Sequence, residues 1–164
     1  MPTAGTLQVN TLPEEGLSED PEKMCPYWPL ATVKGPAAMG LSFEDVAFPS
    51  LDGCTLRGWL FRPTKVDRKC LLLMSHGAAR DRRAWLRHCP FLLDAGYTCM
   101  TFDFHSHGTS GSCGRGGTSL GLIESEDVRA AVRWATATFP AMHIALVGTR
   151  CAIDDRPCDY RIVT

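Results

Sequence analysis

The sequence lacks a basic surplus, a membrane-length apolar run and a secretory leader, and each absence narrows the field. Its 164 residues carry 17 Lys and Arg against 18 Asp and Glu, a formal net charge of -1. Proteins that grip nucleic acid do so through clustered positive charge, so no nucleic-acid partner is expected. No stretch approaches the ~20 consecutive apolar residues that cross a bilayer as a helix, so no membrane partner is expected. Residues 1–20 are polar and acidic, with neither a basic n-region nor an apolar h-region. The expected location is therefore cytoplasmic. There is no internal repeat and no C-x-x-C pair. Eight cysteines stand at 25, 54, 70, 89, 99, 113, 151 and 158. Cys70 and Cys99 fall inside apolar runs, where a thiol acts as a small hydrophobe. Reduced thiols are expected rather than a disulfide framework.

What is present divides into three parts. Residues 1–40 hold Pro2, Pro13, Pro21, Pro26, Pro29 and Pro36 and no sustained apolar period. They read as an extended, partly disordered leader, with Pro26-Tyr27-Trp28-Pro29 able to lay an aromatic pair on the domain. Residues 41–149 read as the folded domain, and residues 150–164 as a divergent tail.

Within the domain, Phe43, Val46 and Phe48 suggest a strand, and Asp52-Gly53 a tight turn. Thr55 to Arg62 then alternates, with Leu56, Gly58 and Leu60 on one side and Trp59 and Phe61 on the other. The pair predicts an antiparallel hairpin ended by Pro63. Cys70-Leu71-Leu72-Leu73-Met74 is continuously apolar, as suits a strand covered on both faces. A helix is expected over Asp81 to Ala95, kinked or split at Pro90 and stopped at Gly96. Tyr97 to Phe104 is the next strand, followed by a Gly/Ser-rich loop from His105 to Thr118. Val128, Ala131, Val132, Ala135 and Phe139 mark a second helix, closed by Pro140. His143-Ile144-Ala145-Leu146-Val147 is a third buried strand. Strand and helix alternate in the manner of a doubly wound α/β sheet.

Three patterns follow these strands: Ser75-His76-Gly77-Ala78-Ala79, then Asp103-Phe104-His105-Ser106-His107-Gly108-Thr109-Ser110-Gly111, then Ala145-Leu146-Val147-Gly148-Thr149. With the leading Leu51-Asp52-Gly53, they resemble the serine hydrolases of the α/β-hydrolase fold, in the esterase and peptidase-like branch. The resemblance runs from about Ser42 to Thr149, about two thirds of the chain. It implies an incomplete α/β-hydrolase sheet: an N-terminal hairpin plus parallel strands, with helices on both faces. It also implies hydrolysis of ester or amide bonds by a Ser-His-Asp mechanism, without a cofactor. In such enzymes, backbone N–H groups stabilise the oxyanion of acyl transfer, each worth roughly 10²–10³ in rate. The family's donor after the His-Gly pair matches Ala78 here, with Gly77 permitting the tight turn and His76 structural. Asp103, His105, His107 and Cys113 match no standard zinc spacing, so no metal site is expected. Gly111 to Gly117 lacks the Gly-Lys-Ser/Thr of a phosphate loop.

The pattern breaks at the nucleophile. The family's elbow reads G-x-S-x-G. Gly148 and Thr149 fit its first two positions, but Arg150 stands where serine should, and a guanidinium stays protonated. Cys151 is one residue late and has no base beyond it, since the final histidine is His143. No catalytic residue is therefore assigned. The tail from Arg150 has no apolar stripe and contains Pro157, as in an alternative or frameshifted end. The expected protein is a truncated hydrolase-like chain without activity of its own. Two alternatives stay open: activity through an unusual nucleophile or partner complementation, and a non-enzymatic binding module. A strand at 143–147 without a neighbour on its far side would be an exposed edge, prone to self-association.

Overall fold

A computed structural model describes residues 33–77, 80–114, 117–149 and 160–163. The chain packs from Val33, which together with Met39 and Leu41 lies against the core. A 3₁₀ turn at Pro36–Met39 sits inside the segment expected to be an extended leader. The remainder of that leader, including the aromatic pair, lies outside the described residues.

Strand β1 (Glu44–Pro49) and strand β2 (Thr55–Phe61) form the expected hairpin, in register from Glu44↔Leu60 to Pro49↔Thr55. Gly53 makes the turn with φ +85, a conformation open to glycine without a Cβ penalty. Strand β3 is Cys70–Ser75. The predicted helix after it is split as Pro90 dictates. A 3₁₀ segment covers Arg82–His88, and α1 (Cys89–Asp94) carries Pro90 in its first turn, where its missing N–H costs nothing. Gly96, at φ +92, stops this helix. Strand β4 (Thr98–Phe102), helix α2 (Leu122–Thr138) and strand β5 (His143–Thr149) complete the alternation.

Among the described residues the sheet has six strands in the order β1-β2-β4-β3-β5-β6. Strand β3 is central and runs parallel to both β4 and β5, whereas β2 meets β4 antiparallel. The sheet separates two cores, and the period of two in each strand decides which residue enters which. Leu56 and Leu60 of β2, Leu71 and Leu73 of β3, and Met100 and Phe102 of β4 face α2, meeting Ala131 and Ala135. Trp59, Phe61, Leu72, Met74 and Cys99 face the other way, against Trp85, Leu86 and Cys89. The apolar run of β3 thus has both faces covered.

Two expectations are corrected here. The edge at 143–147 is occupied from Leu146 onward. Strand β6 (Tyr160–Val163) pairs antiparallel with β5, from Leu146↔Val163 to Thr149↔Tyr160. A Tyr-Arg-Ile-Val segment is rich in strand-forming residue types, and pairing satisfies backbone groups that β5 would otherwise leave open. Among the described residues this edge is thus covered at Leu146 and Val147, where the sequence had suggested no neighbour. The second correction concerns the thiols. Cys54 and Cys113 are joined in a disulfide, with Cα atoms 5.7 Å apart, well within bridging range. The hairpin turn carries Cys54 to the loop after β4, a proximity that sequence spacing does not reveal. Cys70, Cys89 and Cys99 are free, as expected.

Candidate functional site

The register Ser75↔Gly148 brings the carboxyl ends of β3 and β5 side by side. Open α/β sheets place their ligands outside the carboxyl ends of the strands. A Cβ at Gly148 would lie 3.1 Å from Ser75 Oγ, so the close approach of these two strands favours glycine. Of the expected site residues, His76 and Gly77 lie at this end. Ala78 and Arg150 lie outside the described residues.

His76 is 2% exposed, and both of its ring nitrogens are engaged. The Phe104 N–H donates to Nε2 at 3.1 Å. Nε2 is therefore the unprotonated nitrogen, so Nδ1 carries the proton and donates to the Gly77 carbonyl at 2.8 Å. Burial pushes this imidazole down to about 4, the bond to Gly77 pulling weakly the other way. A neutral imidazole with both nitrogens committed has no lone pair to offer as a base. It ties the turn after β3 to the segment after β4.

Asp103 supports the same turn from below. Its carboxylate accepts from the Arg82 N–H at 2.7 Å and the Thr109 N–H at 3.1 Å. The Arg82 side chain, 6% exposed, reaches Asp103 at 3.6 Å and lies over the Trp59 ring at 4.1 Å. Burial pushes the Asp103 carboxyl up to about 6, with the Arg82 guanidinium and the N–H donors opposing it. Gly108, at φ +49, packs so closely that a Cβ there would overlap this carboxylate. The spacing Asp103…Gly108 in the sequence thus has a steric meaning.

A second buried cluster was not foreseen. His105 sits between two carboxylates, with Nδ1 2.5 Å from Asp127 Oδ1 and Nε2 3.2 Å from Asp52 Oδ1. Its backbone N–H also donates to Asp127 at 2.9 Å. His105 therefore ties the loop to helix α2 through Asp127 and lies beside the Asp52 carboxylate of the hairpin turn. Burial lifts the Asp127 carboxyl above the ordinary range, against the pull of its bonds from His105. His107 turns elsewhere: its Nδ1 donates to the His105 carbonyl at 2.7 Å, and Thr118 Oγ1 lies 3.2 Å from its Nε2. Asp103, His105, His107 and Cys113 thus belong to four separate partnerships. Among the described residues no three His, Cys, Asp or Glu side chains group as metal ligands. No described helix is long and apolar enough to cross a membrane.

No protein-family model and no curated protein matches the sequence. Solved structures do. The esterase Pf2001 of Pyrococcus furiosus is 29% identical over 70% of this chain and 44% of its own, with a TM-score of 0.59. The α/β-hydrolase GrgF of Penicillium sp. sh18 is 31% identical over 66% of this chain and 37% of its own, with a TM-score of 0.56. The chain is α/β-hydrolase-like. An α/β serine hydrolase homologue from Coxiella burnetii, 21% identical over 64% of this chain and 50% of its own at a TM-score of 0.54, shares the fold. The α/β-hydrolase-like chain spans half or less of the length of these structures.

Proposed function

We propose that this polypeptide carries the oxyanion-side scaffold of an α/β serine hydrolase, His76-Gly77-Ala78, and does not perform acyl transfer by itself. The observation that carries the reading is Arg150. It directly follows β5, whose Gly148 is in register with Ser75 at the start of that scaffold, and it stands at the G-x-S-x-G serine position. Arginine is not an acyl nucleophile at neutral pH. The chemistry also requires a base beside the nucleophile. His76 and His105 are committed to structural partners. The reaction class of the parent scaffold would be ester or amide hydrolysis, by similarity to the esterase and α/β-hydrolase structures.

Hydrolysis of short-chain p-nitrophenyl esters by the purified polypeptide tests the proposal. The expected rate is that of buffer. Saturable turnover that survives gel filtration with the protein and disappears in the Cys151→Ala variant would overturn it in favour of an unusual nucleophile.

A further inference from the structure

The Cys54–Cys113 bridge is asymmetric in a way that chemistry can use. Cys54 is 1% exposed, held under the hairpin turn, whereas Cys113 lies exposed on the loop after β4. Thiol–disulfide exchange requires in-line access to a sulfur, and of the two bridged residues only Cys113 is exposed. The backbone at Cys113 also lies at φ 44, a left-handed conformation unfavourable to a residue with a Cβ. Exposed or strained disulfides are the labile ones.

The bridge joins residues 59 apart in sequence and adds a covalent tie where the loop meets β2 through hydrogen bonds. Gly111 N–H donates to the Thr55 carbonyl at 2.8 Å, and Ser110 Oγ accepts from the Arg57 N–H at 2.9 Å. A Cβ at Gly111 would meet Cys54 Sγ at 2.8 Å, so the loop is seated against the bridge itself. The same loop carries His107, whose ring lies 5.0 Å from that of His76.

We propose that Cys113 is a thiol-modification site and that the Cys54–Cys113 bridge is a reducible clasp on the 105–121 loop. The partner is a low-molecular-weight thiol such as glutathione. Its thiolate attacks Cys113 Sγ, the bond to Cys54 breaks, and the electron pair leaves on Cys54, which takes a proton. The product is a mixed disulfide on Cys113. A second thiolate attacks the small-molecule sulfur of that mixed disulfide and frees Cys113. Two thiols are oxidised to their disulfide, and the protein disulfide is reduced by two electrons. The inference does not depend on whether the chain hydrolyses anything.

The test uses the full chain, purified without reductant. Peptide mapping of the unreduced protein should recover the 54–113 cross-linked pair. Incubation with millimolar glutathione, followed by rapid alkylation, should place glutathione on the Cys113 peptide and the alkyl tag on Cys54. Cys89 and Cys99, both 0% exposed, should stay unmodified until denaturant is added. Tryptic cleavage after Arg115 should accelerate about tenfold on reduction, because cleavage tracks the population of the open loop. Glutathione on Cys54 instead of Cys113, a different native pairing, a bridge that resists glutathione until the protein unfolds, or an unchanged cleavage rate would each overturn the proposal. The Cys113→Ser variant should match the reduced protein in cleavage rate, and a rate equal to the oxidised form would also refute the clasp.

Discussion

Replacing His76 with phenylalanine keeps a ring of similar volume in the site and deletes two hydrogen bonds. The Phe104 N–H and the Gly77 carbonyl then lose their partners. A buried polar group left unpaired costs about 1–3 kcal/mol, so His76→Phe should destabilise the protein by about 3 kcal/mol near neutral pH. The pH dependence makes the test sharper. Burial holds the folded-state imidazole down at about 4, against about 6.5 in an unfolded chain. Between those values the unfolded state binds more protons than the folded one, so stability falls as the pH is lowered from 6.5 to about 4 and stops falling below that. The gap corresponds to about 3 kcal/mol. The variant has no imidazole and lacks this slope. Urea unfolding of both proteins at a series of pH values should therefore show curves about 3 kcal/mol apart near neutrality that converge near pH 4. A difference that stays constant across that range, or one below about 0.5 kcal/mol at neutrality, would refute the neutral, doubly bonded His76.

Three other substitutions probe the surrounding structure. Gly108→Ala places a Cβ on the Asp103 carboxylate at a positive φ, and should cost about 3 kcal/mol. Gly114→Ala has a positive φ but open space, and should cost only about 1 kcal/mol; equal urea midpoints for the two would contradict the packing. Arg82→Met strips the buried cation from Asp103, whose carboxyl already titrates at about 6. The loss should be about 3 kcal/mol above that value and smaller at about pH 5, where Asp103 is protonated. A loss that grows on acidification would reverse the sign. Glu124 accepts from Ser119 N–H and Oγ and from Gly121 N–H at the start of α2. Partial burial opposes its charge, but these bonds outweigh burial and hold it down at about 2. Its contribution, about 1 kcal/mol at this solvent-screened helix end, is present above pH 4.5 and lost as the pH falls towards about 2. Thermal melts of Glu124→Gln should differ from those of the parent near neutrality and coincide with them in strong acid.

The sheet was legible where local pattern and tertiary burial agree. Leu56 and Leu60 against Trp59 and Phe61, the unbroken run of β3, and the split at Pro90 each follow from side-chain period or proline geometry, and the cores contain those faces. The role of Gly108 was visible only as part of a motif; its reason, contact with Asp103, is a distance in space. The less legible features join residues far apart in sequence. His105 meets Asp127 and Asp52 because the loop after β4, helix α2 and the hairpin turn converge. Cys54 meets Cys113 for the same reason. Strand β6 was missed because Tyr160–Val163 is short and its pairing is decided by the open edge of β5 rather than by its own period. The meeting of the carboxyl ends of β3 and β5 was legible through Ser75-His76-Gly77 and Gly148, since motif order along an α/β chain fixes which strand ends come together.

We propose that this α/β-hydrolase-like chain supplies no acyl nucleophile of its own, its sequence having Arg150 at the serine position of G-x-S-x-G. Incubating the folded polypeptide with a fluorophosphonate probe and locating adducts by peptide mass spectrometry tests it most directly. No stoichiometric adduct on any residue is expected. A single serine or cysteine labelled to completion, and protected by prior unfolding, would contradict it.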